Sequence, residues 1–420
     1  MNDTWMNDGR TLSVVLLLCI TLICSFNSYG QNKSDSSFYS RSLIHQLGVE
    51  ARPGYVFPTN PFLKGQNQKQ KPIEALYSTH LKYSFHFHPN TYLNSIYRGV
   101  YQGFGLSHYS FGNKEELGNP IALYLFQGAT IAQVSRKLSL NYEWNFGISS
   151  GWKPYDDDYN TYNGMIGSKL NAYMNVNFYF KQQLSSQFDL IYGATLTHFS
   201  NGNTKFPNAG LNATDLKVGL TYNFNREENL SSRVFTFNQT RIQKFPKHIS
   251  YDVVLFGSWR RKGLIFNDEP LASPDKYSVM GFNINPMYNM NYNLRVGLSI
   301  DGVYDSSANV YTEDYIIGMG ETNPGYTFYK PSIKKQLALG VSTRAEYVMP
   351  YFTVGVGIGA NLIHGGGDLR GLYQTLALKI EVTRNSFLHI GYNLQNFQTP
   401  NYLMLGVGYR FNNKYPCFYR

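Results

Sequence analysis

Residues 138–152 alternate between apolar and polar types with almost no break. Leu138, Leu140, Tyr142, Trp144, Phe146 and Ile148 share one parity, and Ser139, Asn141, Glu143, Asn145, Gly147 and Ser149 share the other. The pattern returns at 172–180, where Ala172, Met174, Val176, Phe178 and Phe180 face Tyr173, Asn175, Asn177 and Tyr179. It returns again at 216–224, with Leu216, Val218, Leu220, Tyr222 and Phe224 against Lys217, Gly219, Thr221 and Asn223. Successive strand residues point to opposite faces, so each segment predicts a strand with one apolar and one polar surface. Such alternation over nine or more residues, with aromatics at the ends, is what a barrel wall between lipid and a polar lumen requires.

About eight such segments precede residue 225, near 46–56, 75–87, 99–111, 120–134, 138–152, 169–182, 188–201 and 214–224. About eight more follow, near 250–263, 277–290, 292–305, 336–349, 351–363, 371–383, 386–397 and 401–411. Long connections (57–74, 153–168, 202–213, 264–276, 306–335) mostly alternate with tight ones (135–137, Asn291, Pro350, 384–385), as in bacterial outer-membrane barrels. Residues 88–98 are too long for a tight turn and break that rule.

The two halves read as a duplication. Gly193-x-x-Leu196-x-x-Phe199 matches Gly391-x-x-Leu394-x-x-Phe397, and 216–224 matches 403–411. Two architectures follow: tandem eight-stranded barrels, or one barrel of about sixteen strands. The polar stretch 225–249 is far longer than a tight turn, which favours two barrels joined by a linker. The expected organisation is an export segment over 1–30, a first barrel over 31–224, the linker over 225–249 and a second barrel over 250–420.

Export fits the rest of the chain. Arg10 precedes an apolar run from Leu12 to Cys24, with small or polar residues on to Gly30, which reads as a secretory signal. The run is short for a membrane anchor, the alternative. Cys19 and Cys24 fall inside it, so Cys417 alone remains and neither an internal disulfide nor a cysteine metal site is expected. No later run of about 18 apolar residues predicts a membrane helix. The 35 Tyr, 28 Phe and 38 Gly suit an outer-membrane barrel, with a soluble secreted β-protein as the alternative from composition alone. The formal charge of +10 suits phosphorylated lipid as a partner. No motif supports nucleic acid.

One hairpin stands out. Leu196–Asn212 reads L-T-H-F-S-N-G-N-T-K-F-P-N-A-G-L-N and sets His198 and Ser200 two residues apart at a strand end. They share the parity of Leu190, Tyr192, Ala194 and Leu196, so a base and a hydroxyl project outward with the lipid-facing row. A polar pair on that face is costly unless it lies near the interface or has work there. The far end of this strand is expected at the outer leaflet, beside the acylated sugar headgroup of lipopolysaccharide. Asn201 and Asn208 follow among the turn formers Gly202, Pro207 and Gly210.

This hairpin resembles the outer-membrane lipid A 3-O-deacylases, which carry a His-x-Ser-Asn motif and a following Pro-Asn on the outer surface of an eight-stranded barrel. The resemblance covers about the first half of the exported chain. Segments 54–62 (G-Y-V-F-P-T-N-P-F) and 142–147 (Y-E-W-N-F-G) also resemble acyloxyacyl-hydrolase-type proteins of the Bacteroides group. The resemblance implies a serine esterase acting on lipid A, with Ser200 as nucleophile, His198 as its base, and Asn201 and Asn208 holding the oxyanion. It requires no metal or other cofactor. The family's triad acid falls at Asn212, a neutral amide, with Asp215 as an alternative orienting acid if the loop folds back. An amide still fixes the tautomer, as in Cys-His-Asn sites, but stabilises the imidazolium less. The implied reaction is 3-O-deacylation. The alternative is a non-catalytic barrel, a channel or an envelope structural protein with a decayed site.

Other features weigh less. Tyr155-Asp-Asp-Asp158 reads as a solvated loop, with a calcium site as the alternative. His364-Gly-Gly-Gly367 reads as a flexible loop, and His80, His86, His88 and His108 as interface positions.

Overall fold

The computed structural model describes residues 43–88, 91–97, 99–156, 158–224, 226, 243–261, 263–266, 269–273, 275–312, 328–397 and 399–416. The expected export segment, most of the expected linker, Asp157 and Cys417 lie outside the described residues.

The chain forms two closed antiparallel barrels of eight strands each. The first contains β1 (Leu43–Val56), β2 (Ala75–Phe87), β3 (Tyr101–Ser110), β4 (Gly118–Ser135), β5 (Leu138–Trp152), β6 (Leu170–Gln183), β7 (Phe188–Ser200) and β8 (Leu211–Asn223), closed by β1 on β8. The second begins with β9 (His248–Arg260), followed by a short loop hairpin of β10 (Gly263–Phe266) and β11 (Glu269–Ala272). It continues with β12 (Tyr277–Asn289) and β13 (Leu294–Asp305), then a two-residue pair, β14 (Tyr311–Thr312) and β15 (Phe328–Tyr329). β16 (Leu337–Val348), β17 (Phe352–His364), β18 (Leu372–Glu381), β19 (Ser386–Gln395) and β20 (Thr399–Phe411) complete it, with β20 closing on β9. The ends of the sixteen wall strands lie within three residues of those read from alternation.

Residues 88–98, too long for a turn, hold a short helix, α1 (Tyr92–Ile96). Thr91 caps it by accepting from the Asn94 N–H at 3.2 Å.

Parity decides what each wall faces. The outward rows are apolar and exposed, as in Leu196, Leu216, Val218 and Leu220. The inward rows are polar and interlocked. In the first barrel Glu50 meets Arg52 at 2.5 Å, Lys82 at 3.1 Å and Lys217 at 3.3 Å, while Glu143 meets Lys82 at 2.5 Å. In the same barrel Tyr109, Phe111, Trp152, Tyr173 and Phe199 pack into one aromatic cluster, some stacked and some edge-on. His80 belongs to this interior, not to an interface: it is buried between Ser78 (3.1 Å) and Tyr124 (2.9 Å). An eight-stranded barrel has room only for side chains that fill it, and this filling opposes a channel through the first barrel.

The second interior has its own charge network. Asp252 meets Arg295 at 2.6 Å, Lys379 at 2.8 Å and Arg410 at 3.1 Å, and Glu346 meets Lys379 at 2.7 Å.

The barrels touch along their walls. The Trp144 ring sits edge-on to Phe352 at 5.1 Å, Phe85 to Tyr351 at 6.0 Å, and the Tyr92 and Tyr292 hydroxyls are 2.8 Å apart. At the long-loop end Asn203 accepts from the Arg261 backbone N–H at 3.2 Å.

Candidate active site

The site occupies the outer face of the β7–β8 hairpin. In β7 Thr195, Thr197 and Phe199 are buried inward, leaving Leu196, His198 and Ser200 on the outer face. His198 lies directly opposite Asn212 in the β7–β8 register and opposite Met174 in the β6–β7 register. Its Nδ1 is 2.6 Å from the Asn212 Oδ1. An amide oxygen only accepts, so Nδ1 is the donor, and in the neutral ring that leaves Nε2 with its lone pair. That is the tautomer a general base needs.

Ser200 follows His198 by one full pleat, roughly 6.6 Å along the strand at 3.3 Å per residue, on the same face. Partial burial of both residues leaves them open to the outside.

The loop beyond Ser200 is tied to itself. The Asn201 N–H donates to Asn208 Oδ1 at 2.9 Å, Asn201 Nδ2 donates to the Lys205 carbonyl at 2.7 Å, and Asn208 Nδ2 donates to Asn203 Oδ1 at 3.1 Å. Each carboxamide therefore spends one of its two N–H groups on the loop. Gly202 (φ 63°), Asn203 (φ 65°) and Gly210 (φ 73°) supply the left-handed residues this path needs. At Gly210 a Cβ would lie 3.0 Å from His198 Cε1, so the glycine also leaves room for the ring.

Asp215 takes no part in this cluster. Strand parity turns it into the lumen, where it is buried and accepts from the Thr195 and Thr197 hydroxyls at 2.9 Å each. Its distance from the imidazole follows from residue number alone: 215 and 212 differ by an odd count, so they face opposite sides. The structure thus gathers His198, Ser200, Asn201, Asn208 and Asn212 on one hairpin and sends Asp215 inward. The part played by Gly210 was readable only as a turn signal, and the second barrel's approach at Asn203 had no sequence signal.

The other candidates are local. Asp156 accepts from the N–H groups of Asp158 (3.0 Å) and Tyr159 (3.1 Å), and His364 Nδ1 accepts from the Gly366 N–H at 3.0 Å. No group of three potential metal ligands occurs among the described residues.

Closed walls with apolar exteriors and filled polar interiors define an outer-membrane β-barrel protein. Residues 78–221 match the family model for lipid A 3-O-deacylase (PagL), and residues 249–413 match that for the acyloxyacyl hydrolase C-terminal domain (PagL_C). With one match on each barrel, the chain belongs to the PagL family of outer-membrane lipid A deacylases, hydrolases of a lipid A ester.

A search of curated proteins finds no match. Among solved structures, Neisserial surface protein A aligns over 43% of this chain and 97% of its own, at 8% identity and a TM-score of 0.28. Omp33 of Acinetobacter baumannii aligns over 88% and 98%, at 10% identity and a TM-score of 0.16. The Pseudomonas putida toluene transporter TodX aligns over 91% and 92%, at 10% identity and a TM-score of 0.17. At such scores these likenesses add nothing to the strand pairing itself.

Proposed function

We propose that this protein is a serine esterase that removes the 3-O-linked acyl chain of lipid A from the lipid-facing side of its first barrel. One observation carries the reading: the 2.6 Å contact between His198 Nδ1 and Asn212 Oδ1, on the outward face that also bears Ser200.

Lipid A diffuses laterally within the leaflet until its ester meets the hairpin. Ser200 Oγ attacks the ester carbonyl carbon while His198 Nε2 takes its proton. Asn201 and Asn208 offer N–H donors to the developing oxyanion, a term worth about 3 kcal/mol per donor at such sites. The bond from the carbonyl carbon to the sugar oxygen then breaks, and the imidazolium gives its proton to that departing oxygen, releasing the sugar hydroxyl. Water, deprotonated by His198, releases the fatty acid from Ser200. Asn212 holds the ring throughout but, being neutral, gives the imidazolium less support than a carboxylate would.

The test is genetic. Lipid A is compared by mass spectrometry from cells carrying wild-type protein, Ser200→Ala protein, or no protein. The mutant is expected to match the deletion strain and to keep one acyl chain more than wild type. Identical acylation in all three strains would overturn the reading.

A further inference from the structure

The second barrel meets the catalytic loop directly. A Cβ on Gly202 would lie 2.7 Å from Leu403 Cγ, so β20 presses on the residue two places beyond Ser200. From the next strand, the Arg261 backbone N–H donates to the Asn203 carbonyl at 3.2 Å. Arg261 stands just past the end of β9, whose outward row includes the exposed Leu255 and Trp259.

The two adjacent arginines differ. Arg260 turns inward, where it bonds Asn401 and reaches Asp305 at 3.4 Å. Arg261 is partly buried; its Nε, like that of Arg260, is sequestered from solvent without a hydrogen-bond partner, but unlike Arg260 its guanidinium has no side-chain hydrogen bond or ion pair among the described residues. A guanidinium left without a counter-charge is costly, and an anion reaching its terminal nitrogens would neutralise it. Guanidinium forks fit a phosphate with two parallel hydrogen bonds.

We infer that Arg261, supplied by the second barrel, binds a phosphate of the lipid A headgroup and so sets the sugar against Ser200. This assignment rests on the lipid A reading above. It gives the second barrel a part in substrate recognition although it lacks the hairpin residues. Leu403 and the outward row of β9 extend the apolar wall beside the site, where acyl chains of the same molecule would lie.

The test uses the full-length chain in detergent micelles, with lipid A and with the same lipid A after enzymatic removal of its phosphate. Wild type is expected to show a KM about tenfold lower for the phosphorylated substrate, the value of one charge-assisted contact. Arg261→Gln should lose that preference, and Arg261→Lys should recover part of it. Heat-modifiable gel migration reports whether each variant keeps its barrels closed. An Arg261→Gln protein that folds and retains the full preference overturns the assignment, as does a wild type with no preference. Equilibrium binding to Ser200→Ala protein, with and without Arg261→Gln, separates the two claims. Phosphate-dependent binding lost with Arg261, in a wild-type chain that hydrolyses nothing, would refute the esterase and keep the phosphate site. Hydrolysis indifferent to phosphate would do the reverse.

Discussion

The first and second barrels share a plan but end their last hairpins differently. β7 runs to Ser200 and is followed by a ten-residue loop, 201–210, before β8. β19 stops at Gln395, and only residues 396–398 precede β20. Aligned on the repeated glycine and leucine, Asn396 takes the place of His198. It sits in the turn with φ 50°, followed by Phe397 with φ 63°, rather than on an extended strand. Among the described residues the second hairpin has no imidazole at the place of His198, and its turn is too short to match the ten-residue loop that follows Ser200. A few added residues on one hairpin separate the wall that carries the proposed site from its counterpart in the second barrel.

The interiors differ too. Both barrels are held by buried charges, centred on Glu50 and Glu143 in the first and on Asp252 and Glu346 in the second. These networks fill the lumen on the face away from the site. Activity and barrel integrity should consequently respond to different substitutions.

The sharpest way to break the comparison is to exchange the two hairpins' residues. Ser200→Ala should lower kcat/KM for lipid A deacylation by at least about 10³-fold, whereas Asn396→Ala should leave it within twofold or so, since single surface changes are near neutral. Equal losses would show that both barrels act. Next, Asn212→Ala should cost on the order of 10²-fold by freeing the imidazole to turn. Asn212→Asp should instead raise the rate, because a carboxylate supports the imidazolium better than an amide does. An unchanged rate in Asn212→Asp would mean that residue 212 does not orient the base.

A smaller effect is expected at Gly210. Its left-handed backbone disfavours any side chain by about 1 kcal/mol, and the new methyl would press on His198 Cε1 from 3.0 Å. Gly210→Ala should lower kcat about tenfold with the fold intact, because small misplacements of a catalytic group are costly. The least effect on activity belongs to the second lumen. Arg295→Met leaves Asp252 and Glu346 short of a partner and should destabilise that barrel by about 3–5 kcal/mol. Deacylation per folded molecule should hold, provided the wall at Leu403 and Arg261 stays in place.

Much of this was legible in the chain because a barrel wall writes its geometry at period two. Leu138 to Ile148 announced the lipid-facing row of β5, and the inward Asn and Glu between them line the lumen. The same parity put His198 and Ser200 outside. It also turns Asp215 inside with Lys217 of the same strand, so that only a folded-back loop could have brought Asp215 to the imidazole. The helix at 92–96 was visible merely as a connection of the wrong length. What alternation does not encode is which stretch of one barrel meets the other. Trp144 against Phe352, and Arg261 against Asn203, depend on contacts between residues more than fifty apart with no pattern linking them.

The most direct measurement is mass spectrometry of lipid A incubated with the purified wild-type chain and, in parallel, with Ser200→Ala protein of matched folding. The outward hairpin as an ester-cleaving site predicts lipid A lacking one acyl chain, with a matching free fatty acid, from wild type alone. The same product from both proteins, or from neither, would contradict it.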